Sequence, residues 1–336
     1  MIENGAVLVT GGAGYIGSHA VLAFREAGYP VIVIDDLSTG VRGNLPPDLP
    51  FVQGDVADMT LVERTVREHD IRHVVHFAGS IVVPESVTNP LAYYRNNTAA
   101  SRNLLEVAVR TGVRNFIFSS TAAVYGEPEV VPVREDAPLE PANPYGRSKL
   151  MTEWMLRDAA AAHDLHYVAL RYFNVAGGDP QGRTGQSTPR ATHLIKVACE
   201  TAVGARPHIQ VFGDDYPTAD GTCVRDYIHV TDLADAHVCA LRHLADGGDN
   251  LVLNCGYGHG FSVREVLDTV QRVAGRRLDI RDAPRRLGDP ARLVSDPSLI
   301  QRTFPWRPRY DDLEIIVRTA LNWEMKLSAT PATSDA

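Results

Sequence analysis

The sequence predicts an α/β fold: a doubly wound parallel sheet, followed by a smaller C-terminal region. Two observations support this prediction. Short, almost continuously apolar runs alternate with longer amphipathic stretches through the first half of the chain. Such runs are typical of parallel strands that helices cover on both faces, and right-handed crossovers then wind the sheet in two directions. After residue 174 the alternation loosens, and a Gly- and Pro-containing loop signal stands at 177–182.

Each element follows from its pattern, taken in chain order. Runs of β-branched and other apolar residues predict strands over 6–10, 31–34, 51–53, 73–77, 115–119 and 167–170. Amphipathic stretches predict helices over 15–27, 59–68, 92–110 and 145–163, and Gly112 can cap the third of these. We expect a first domain over 1–174 and a second region over 175–336. A later segment near 251–254 has the composition of a strand that returns to the first sheet.

Composition excludes several classes of protein. Of 336 residues, 33 are Lys or Arg and 41 are Asp or Glu, which gives a net charge of −8 and disfavours nucleic-acid and anionic-membrane partners. No apolar run approaches the roughly 20 residues of a membrane span. Residues 1–4 carry an acid and no basic leader. Four widely spaced cysteines argue against a zinc ribbon or a redox pair. We therefore expect a soluble cytoplasmic enzyme or binding protein.

A glycine-rich turn follows the first predicted strand directly. Gly11, Gly14 and Gly17 are spaced G-x-x-G-x-x-G and open the first helix. Glycine is needed there because the turn is tight and the backbone must approach a pyrophosphate, which the helix N-terminus then attracts. Asp35 ends the second strand, where an acid accepts hydrogen bonds from ribose, and Asp36 follows it with no arginine adjacent. These features predict a Rossmann-type site for NAD rather than NADP. The alternative is a turn that only packs helix on strand.

Two further strand ends belong to the same predicted crevice. Asp55 and Val56 follow the third strand, where the adenine edge of a dinucleotide would lie. An acid at this place can equally be the N-cap of the next helix. Phe77, Ala78 and Gly79 end the fourth strand, and small residues there let a ligand pass closely. We therefore include all five residues in the predicted cofactor site.

The helix that begins near residue 145 carries an acid/base candidate. Tyr145 and Lys149 are four residues apart and therefore share one face of the helix. A phenol has a pKa of about 10, but a nearby ammonium and a cationic nicotinamide both favour the phenolate. Thr121, just after the fifth strand, supplies a hydroxyl at the mouth of the crevice. The Tyr-Lys spacing is common by chance, and serine-rich strand ends are often only caps. Together and in this order, the three features predict a catalytic site beside a nicotinamide.

No metal site is predicted. His73 and His76 are three residues apart on a predicted strand, so their side chains point to opposite faces of the sheet. The remaining histidines show no ligand spacing. We expect packing and surface roles for them.

Together these motifs resemble the extended short-chain dehydrogenase/reductase superfamily. The resemblance rests on the 10–17 turn, the segment around Thr121 and the Tyr145-x-x-x-Lys149 pair. Further segments at 82–87, 172–177, 211–218 and 220–230 are similar to the UDP-glucose (UDP-galactose) 4-epimerase family, and the likeness extends over about 7–323. It implies a tightly held NAD and the interconversion of UDP-galactose and UDP-glucose. The hexose would be oxidised transiently at C4 to a 4-keto sugar, rotate, and be reduced on its other face.

The resemblance also implies a role for each matching residue. Tyr145 would exchange a proton with the hexose 4-hydroxyl, Lys149 would hold the nicotinamide ribose, and Thr121 would orient O4. Further cofactor contacts are implied at Tyr15, Ile16, Asn96, Ser119 and Tyr172. Substrate contacts are implied at Phe173, Asn174, Leu194, Phe212, Arg225, Arg286 and Asp289. For the two arginines there is an independent reason, because guanidinium binds phosphate oxygens bidentately. A homodimer through the helices over 92–110 and 145–163 is implied as well.

The sequence departs from the family pattern at several positions. Ile81 stands where some members carry a lysine, and Ala123 where some carry a hydroxyl residue. His193 stands where asparagine is frequent. Leu293 aligns with a position that gates sugar size, and its bulk favours glucose and galactose over N-acetylated sugars.

Three alternatives stay open at the level of sequence. The first is a related epimerase that acts on N-acetylhexosamine, uronate or pentose nucleotides. The second is a nucleotide-sugar dehydratase or decarboxylase, although Ala122 and Ala123 stand where such enzymes usually carry acids. The third, more remote, is a non-catalytic NAD-binding sensor, which would have no need for Tyr145 and Lys149.

Overall fold

A computed structural model describes residues 5–188, 191–286 and 288–329. The expectation about a leader at residues 1–4 lies outside these ranges. The strands are β1 Ala6–Thr10, β2 Val31–Asp35, β3 Phe51–Gln53, β4 Ile71–His76, β5 Asn115–Thr121, β6 His166–Tyr172, β7 Asn174–Ala176, β8 Ile209–Phe212, β9 Val224–Arg225, β10 Tyr227–His229, β11 Leu251–Cys255, β12 Phe261–Ser262, β13 Ile280–Ala283 and β14 Arg292–Leu293. The helices are α1 Tyr15–Glu26, α2 Met59–Glu68, α3 Val83–Thr88, α4 Pro90–Tyr93, α5 Ala100–Thr111, α6 Pro144–Ala162, α7 Leu194–Ala202, α8 Val230–Ala245, α9 Val263–Ala274, α10 Ser298–Thr303 and α11 Leu313–Ala329.

The main sheet has seven parallel strands in the order β3-β2-β1-β4-β5-β6-β11. The chain runs outward from β1 in one direction and then from β4 in the other, so the strand order reverses between these two neighbours. In such sheets ligands bind outside the carboxyl ends of the strands at the point of reversal. The predicted fold class, a doubly wound parallel sheet, is confirmed.

The two faces of the sheet bury alternate residues of each strand. Val7 and Val9 of β1 face a core that α1 and α8 cover, whereas Leu8 faces a core that α2, α5 and α6 cover. Side chains alternate along a strand, so a strand that is apolar throughout must be covered on both faces. His73 and His76 divide in the same way, with His73 against Tyr29 and His76 against residues of the second core.

The segment predicted as one helix over 92–110 is interrupted. α4 ends at Tyr93, Tyr94–Ala99 forms a π-helical turn, and α5 continues to Thr111, with Gly112 in the left-handed conformation (φ 75°) as its cap. The single-helix prediction was therefore wrong in its middle. Its apolar periodicity does not register the extra residue that a π turn inserts, and such turns are frequent at functional sites.

The later part of the chain adds small sheets beside the carboxyl edge of the large one. β7 pairs with β10, β8 pairs with β13, and β9 lies between β12 and β14. α8 returns to pack on α1, and β11 forms the outer strand beside β6. Within the described ranges, none of the helices combines the length and apolar character needed to span a membrane.

Candidate active site

The glycine turn fits a pyrophosphate because Gly11 and Gly17 leave no room for side chains. Gly11 has φ +67°, and a Cβ on it would lie 2.6 Å from the backbone nitrogen of Ala78. A Cβ on Gly17 would lie 2.2 Å from the carbonyl oxygen of Gly11. Gly14 is the N-cap of α1 and offers no side-chain cap, which leaves the first-turn N–H groups of α1 for an anion. Ile16, in that first turn, packs partly on the core.

Asp35 reaches across from β2 to the same turn. Its carboxylate accepts hydrogen bonds from the backbone nitrogens of Ala13 (2.9 Å) and Leu37 (2.8 Å). Burial raises the pKa of this carboxyl, while the two amide hydrogen bonds oppose the rise. Asp35 therefore fixes the glycine turn in addition to its predicted role toward ribose. Asp36 is exposed and accepts hydrogen bonds from the backbone and hydroxyl of Ser38.

The predicted catalytic residues come together at the ends of β5 and α6. Asn143 caps α6 through a hydrogen bond from the Gly146 nitrogen, which places Tyr145 in the first turn. The Tyr145 side chain lies beside that of Thr121, the last residue of β5, close enough for the Thr121 hydroxyl to lower the pKa of the phenol. Lys149 lies one turn further along α6. The three residues are therefore neighbours in the structure, and their catalytic roles stay a prediction.

Lys149 is almost completely buried, with 3% of its surface exposed. Its Nζ donates to the carbonyl oxygen of Ser119 (3.0 Å) and lies 5.1 Å from the centre of the Phe118 ring. Burial lowers the pKa of Lys149 to about 8. The side chain is thereby held beside β5, within reach of a nucleotide that lies over the strand ends.

The protein surroundings of Tyr145 oppose its phenolate form. Burial raises the pKa of the phenol above its ordinary value, and the hydrogen bond from Thr121 only partly offsets the rise. The ammonium of Lys149 alone does not make Tyr145 a phenolate, because the cost of burying a negative charge dominates. A further positive charge in the crevice is required, and a cationic nicotinamide is one.

The fourth strand end and the π turn form one side of the crevice. Gly79 follows β4, and a Cβ on it would lie 3.0 Å from Oδ1 of Asn97 and 3.7 Å from Nζ of Lys149. Asn96 is exposed and donates to the hydroxyl of Ser80 (2.8 Å). Phe77 and Ala78, just before Gly79, are partly buried.

Other predicted cofactor residues have structural partners that the sequence did not reveal. The Tyr15 hydroxyl donates to the carbonyl oxygen of Gly177 (2.7 Å), so it joins α1 to the loop after β7. Asp55 accepts from the nitrogen of Ala57 (2.8 Å) in a local turn, and Val56 is buried in the core. The helix cap that the sequence left open belongs instead to Asp58, which accepts from the nitrogens of Thr60 and Leu61. Ser119 and Tyr172 are both buried near the ends of β5 and β6, and the Tyr172 hydroxyl has no hydrogen-bond partner among the described residues.

Four of the predicted substrate residues form two close pairs. Nη2 of Arg225 lies 3.7 Å from Oδ1 of Asp289. The guanidinium of Arg286 lies 3.7 Å from the centre of the Phe212 ring. Arg286 is exposed, whereas only 12% of the Arg225 side chain is exposed to solvent. Each pair thus combines a cation with a group that orients it.

The remaining substrate candidates connect these pairs to the catalytic residues. Asn174 and Leu194 line one cavity together with His193, whose Nδ1 accepts from the side-chain amide of Gln186 (2.9 Å). Phe173 and Leu293 pack in a small apolar cluster with Ala122, Val124 and Leu150. Leu293 pairs with Arg225 in the register of β14 and β9. The strand that carries Arg225 therefore lies beside the end of β5.

Asn97 is a site residue that the sequence analysis missed. It is buried, its Oδ1 accepts from the Ser80 nitrogen (2.7 Å), and its Nδ2 donates to the Ser80 carbonyl (2.9 Å) and to the Ser148 hydroxyl (3.0 Å). It thus joins the loop after β4 to the catalytic helix between Tyr145 and Lys149. The available signal in the sequence was the pair Asn96-Asn97, two polar residues inside a segment with the apolar periodicity of a helix.

The residues present fit NAD on three observations. These are the glycine turn that admits no Cβ, the uncapped N-terminus of α1, and the buried lysine held beside Ser119. Asp35, followed by Asp36, supplies carboxylates rather than a cation where the ribose would lie. Among the described residues, no three His, Cys, Asp or Glu side chains are grouped to hold a metal ion.

Comparison with known proteins gives a consistent set of relatives. The sequence matches the model of the NAD dependent epimerase/dehydratase family over residues 7–256. It is 58% identical to the UDP-glucose 4-epimerase of Azospirillum brasilense, over 98% of this chain and 95% of that protein. The structure of UDP-glucose 4-epimerase from Brucella ovis in complex with NAD has a TM-score of 0.92 and 44% identity, covering 95% of this chain and 98% of that one. The Bifidobacterium longum UDP-glucose 4-epimerase in complex with NAD+ and UDP has a TM-score of 0.91 and 39% identity, covering 96% and 98%.

Proposed function

The chain belongs to the NAD dependent epimerase/dehydratase family, and from that premise we propose that it interconverts UDP-galactose and UDP-glucose. It is an NAD-dependent isomerase that oxidises the hexose transiently at C4 and reduces the 4-keto sugar again. The observation that carries the proposal is the placement of Tyr145 beside Thr121 and one helical turn from the buried Lys149, on the same crevice as the glycine turn.

NAD would be held by the chain at both of its ends. The glycine turn and the N-terminus of α1 receive the pyrophosphate, Asp35 accepts from the adenosine ribose, and Lys149 holds the nicotinamide ribose. When bound, NAD would supply the acceptor and donor of the C4 hydride and a cationic ring. Tyr145 is then favoured as phenolate, since a positive charge opposes the rise in its pKa that burial causes.

Tyr145 acts as the base and then the acid of the reaction. It takes the proton of the hexose 4-hydroxyl and later returns a proton to the same oxygen after the sugar has rotated. Thr121 donates its hydroxyl hydrogen toward the phenol oxygen and helps to orient O4. Neither residue needs to move between the two halves of the turnover.

The UDP part of the substrate is held by the pairs that include the two arginines. Guanidinium groups bind phosphate oxygens bidentately, and Arg225 lies on β9 whereas Arg286 lies in the segment after β13. Asp289 orients Arg225, and its carboxylate also accepts from the uridine ribose. Phe212 supplies an aromatic face beside Arg286. The hexose is thereby free to rotate about a diphosphate that stays fixed.

A nucleotide-sugar dehydratase is the second candidate, and the crevice argues against it. Elimination requires an additional acid/base pair near C5 and C6 of the sugar. The positions after Thr121 are Ala122 and Ala123, and Ala122 packs against Val124 and Leu293 in an apolar cluster. Removal and return of one hydride needs no further acid, which favours epimerisation.

The decisive experiment is an assay without added cofactor. Purified protein should convert UDP-galactose to UDP-glucose with no NAD supplied and no net NADH absorbance, because NAD is regenerated within each turnover. A need for stoichiometric external NAD would instead indicate a dehydrogenase. Parallel assays with UDP-N-acetylgalactosamine and a UDP-pentose would define the sugar range, for which the bulk of Leu293 favours the unsubstituted hexoses.

We also propose that the protein is a cytoplasmic homodimer. Exposed apolar residues Val87 on α3, Leu91 on α4 and Trp154 on α6 support an interface, since α3 and α4 both pack against α6. A reducing compartment agrees with the free thiols of Cys199, Cys223, Cys239 and Cys255.

A further inference from the structure

A buried ion pair lies one helical turn beyond Lys149 on α6. Glu153 of α6 and Arg171 of β6 make two contacts, Nε to Oε1 at 3.0 Å and Nη2 to Oε2 at 2.6 Å. Their exposed fractions are 5% and 3%. This parallel, two-bond geometry fixes the direction of approach as well as the distance between helix and strand. The function proposed above assigns no task to either residue.

The carboxylate of Glu153 also holds the end of β5. Its Oε1 accepts a hydrogen bond from the hydroxyl of Ser120. The two neighbours of Ser120 lie against the catalytic pair, since the Ser119 carbonyl accepts from Lys149 and the Thr121 side chain lies beside Tyr145. A displacement of Ser120 would therefore move both contacts at once.

The spacing along α6 places Glu153 in line with the catalytic pair. Tyr145, Lys149 and Glu153 follow one another at intervals of four residues and so share one face of the helix. Arg171 pairs with Ser120 in the register of β5 and β6. One buried carboxylate thus connects α6, β5 and β6, each within one residue or one helical turn of the site.

The network continues away from the crevice. Nη1 of Arg171 donates to the Tyr125 hydroxyl (3.0 Å), which donates to Oδ1 of Asn254 on β11 (2.7 Å). The backbone nitrogen of Asn254 donates to Oε1 of Glu135 (2.9 Å). The guanidinium is therefore held from two sides, by β11 through Tyr125 and by α6 through Glu153.

We propose that Glu153 and Arg171 are positioning residues for the epimerisation, which set the distance between the Tyr145–Lys149 pair and the end of β5. This inference rests on the proposed function. A buried ion pair contributes little net stability compared with apolar residues of similar volume, so stability alone does not account for it. Directional contacts matter for catalysis, because a displacement of about 1 Å can cost on the order of a hundredfold in rate.

The principal test replaces the pair by apolar residues of similar volume, Glu153→Leu with Arg171→Met. The double variant should remain folded, and kcat for UDP-galactose should fall at least about tenfold. KM should stay within about twofold, because Glu153 and Arg171 bind each other and the arginines that hold the UDP have other partners, Asp289 and Phe212. A double variant that keeps the kcat of the wild type would overturn the proposal.

Two single changes keep the test decisive even where the double variant does not fold. Arg171→Lys retains the charge and loses the two-bond geometry, and Ser120→Ala removes only the hydroxyl contact. Both should lower kcat several-fold with KM unchanged, and wild-type values in both would overturn the proposal. Asp232→Asn is the matched control: Asp232 is a buried carboxylate that binds Tyr257 and the Tyr310 nitrogen, so this change should lower stability and leave kcat unaltered.

The outcome is separable from the proposed function itself. An inactive wild-type protein would reject the epimerase assignment, whereas an active wild type with fully active variants would reject only the positioning role.

Discussion

At the scale of single residues, catalytic use of Tyr145 conflicts with its surroundings. A buried phenol keeps its proton, and the raised pKa of Tyr145 shows that burial outweighs the hydrogen bond from Thr121. Lys149 is subject to the opposite effect, since burial lowers its pKa to about 8 and so disfavours its charge. Burial therefore disfavours the charged form of both residues, the phenolate of Tyr145 and the ammonium of Lys149. A bound cationic cofactor would relieve this cost for Tyr145 only.

Removal of the Tyr145 hydroxyl should abolish most of the activity. Tyr145→Phe keeps the ring and its packing, and kcat for UDP-galactose should fall at least about a hundredfold, as expected for loss of a general acid/base. The amount of NAD that co-purifies with the variant should match the wild type, which shows that the site is still assembled. Undiminished turnover in Tyr145→Phe would remove this residue from its role.

Replacement of Lys149 should stabilise the protein and inactivate it. The folded state binds fewer protons at Lys149 than the unfolded state between about pH 8 and the ordinary lysine pKa of about 10.4, so burial of this charge costs stability below pH 8. Lys149→Met should therefore raise the free energy of unfolding at pH 7 by about 1–3 kcal/mol. The gain should shrink as the pH rises through that window.

Urea unfolding of the nucleotide-free protein at pH 7 and at pH 10 measures this difference. Equal stability of Lys149→Met and wild type at pH 7 would contradict the claim that burial of the Lys149 ammonium costs stability. Loss of turnover in the variant, despite its higher stability, would identify Lys149 as a residue kept for function.

At the scale of elements, the sequence predicted what depends on local pattern and missed what depends on distant partners. The strands of the large sheet were predicted because each is an apolar run, and its ends shifted by only a few residues in the structure. The two-residue strands β9, β12 and β14 carry no pattern of their own and exist only through their pairing. The π turn at 94–99 was missed for the same reason, because Asn97 is held there by Ser80 and Ser148.

The candidate site divides in the same way. The glycine turn and the Tyr145–Lys149 spacing are local motifs, so sequence sufficed to find them. The tie from Asp35 to the Ala13 nitrogen and the Glu153–Arg171 pair join elements far apart in the chain. Only the assembled sheet reveals that these carboxylates are structural partners of the motifs.

The glycine turn gives a prediction at this scale. A Cβ on Gly17 would lie 2.2 Å from the Gly11 carbonyl oxygen and 2.8 Å from Cα of Gly12, and both neighbours are backbone atoms. Gly17→Ala should therefore displace the turn, cost about 1–3 kcal/mol of stability and release NAD. Gly43→Ala is the control, because a Cβ there meets no atom within 4 Å. Thermal unfolding measures the loss of stability, and the nucleotide recovered from each purified protein measures the loss of NAD. A Gly17→Ala protein with full NAD content would contradict the role of the glycine turn in binding NAD.

At the scale of the whole molecule, the crevice is closed by contacts between the early and late parts of the chain. The Tyr15 hydroxyl binds the Gly177 carbonyl, and the Ser18 hydroxyl is hydrogen-bonded to Thr184 (2.8 Å). β11 extends the large sheet beside β6 although it belongs to the late part. The cofactor turn and the substrate loops are therefore fixed relative to one another. The proposed rotation of the sugar takes place within a crevice whose two sides are joined at several points.

Assembly of two such molecules gives the last prediction. Leu91 is 78% exposed and Trp154 is 46% exposed, and neither belongs to an apolar core of the single chain. If α3, α4 and α6 form the interface, Leu91→Glu places a charge in an apolar contact and should convert a dimer to a monomer without loss of helical content. Met325→Glu on α11 is the control, since Met325 is 56% exposed and lies outside these helices. Light scattering after gel filtration measures the mass; a monomeric wild type, or a dimer that persists in Leu91→Glu, would reject this interface.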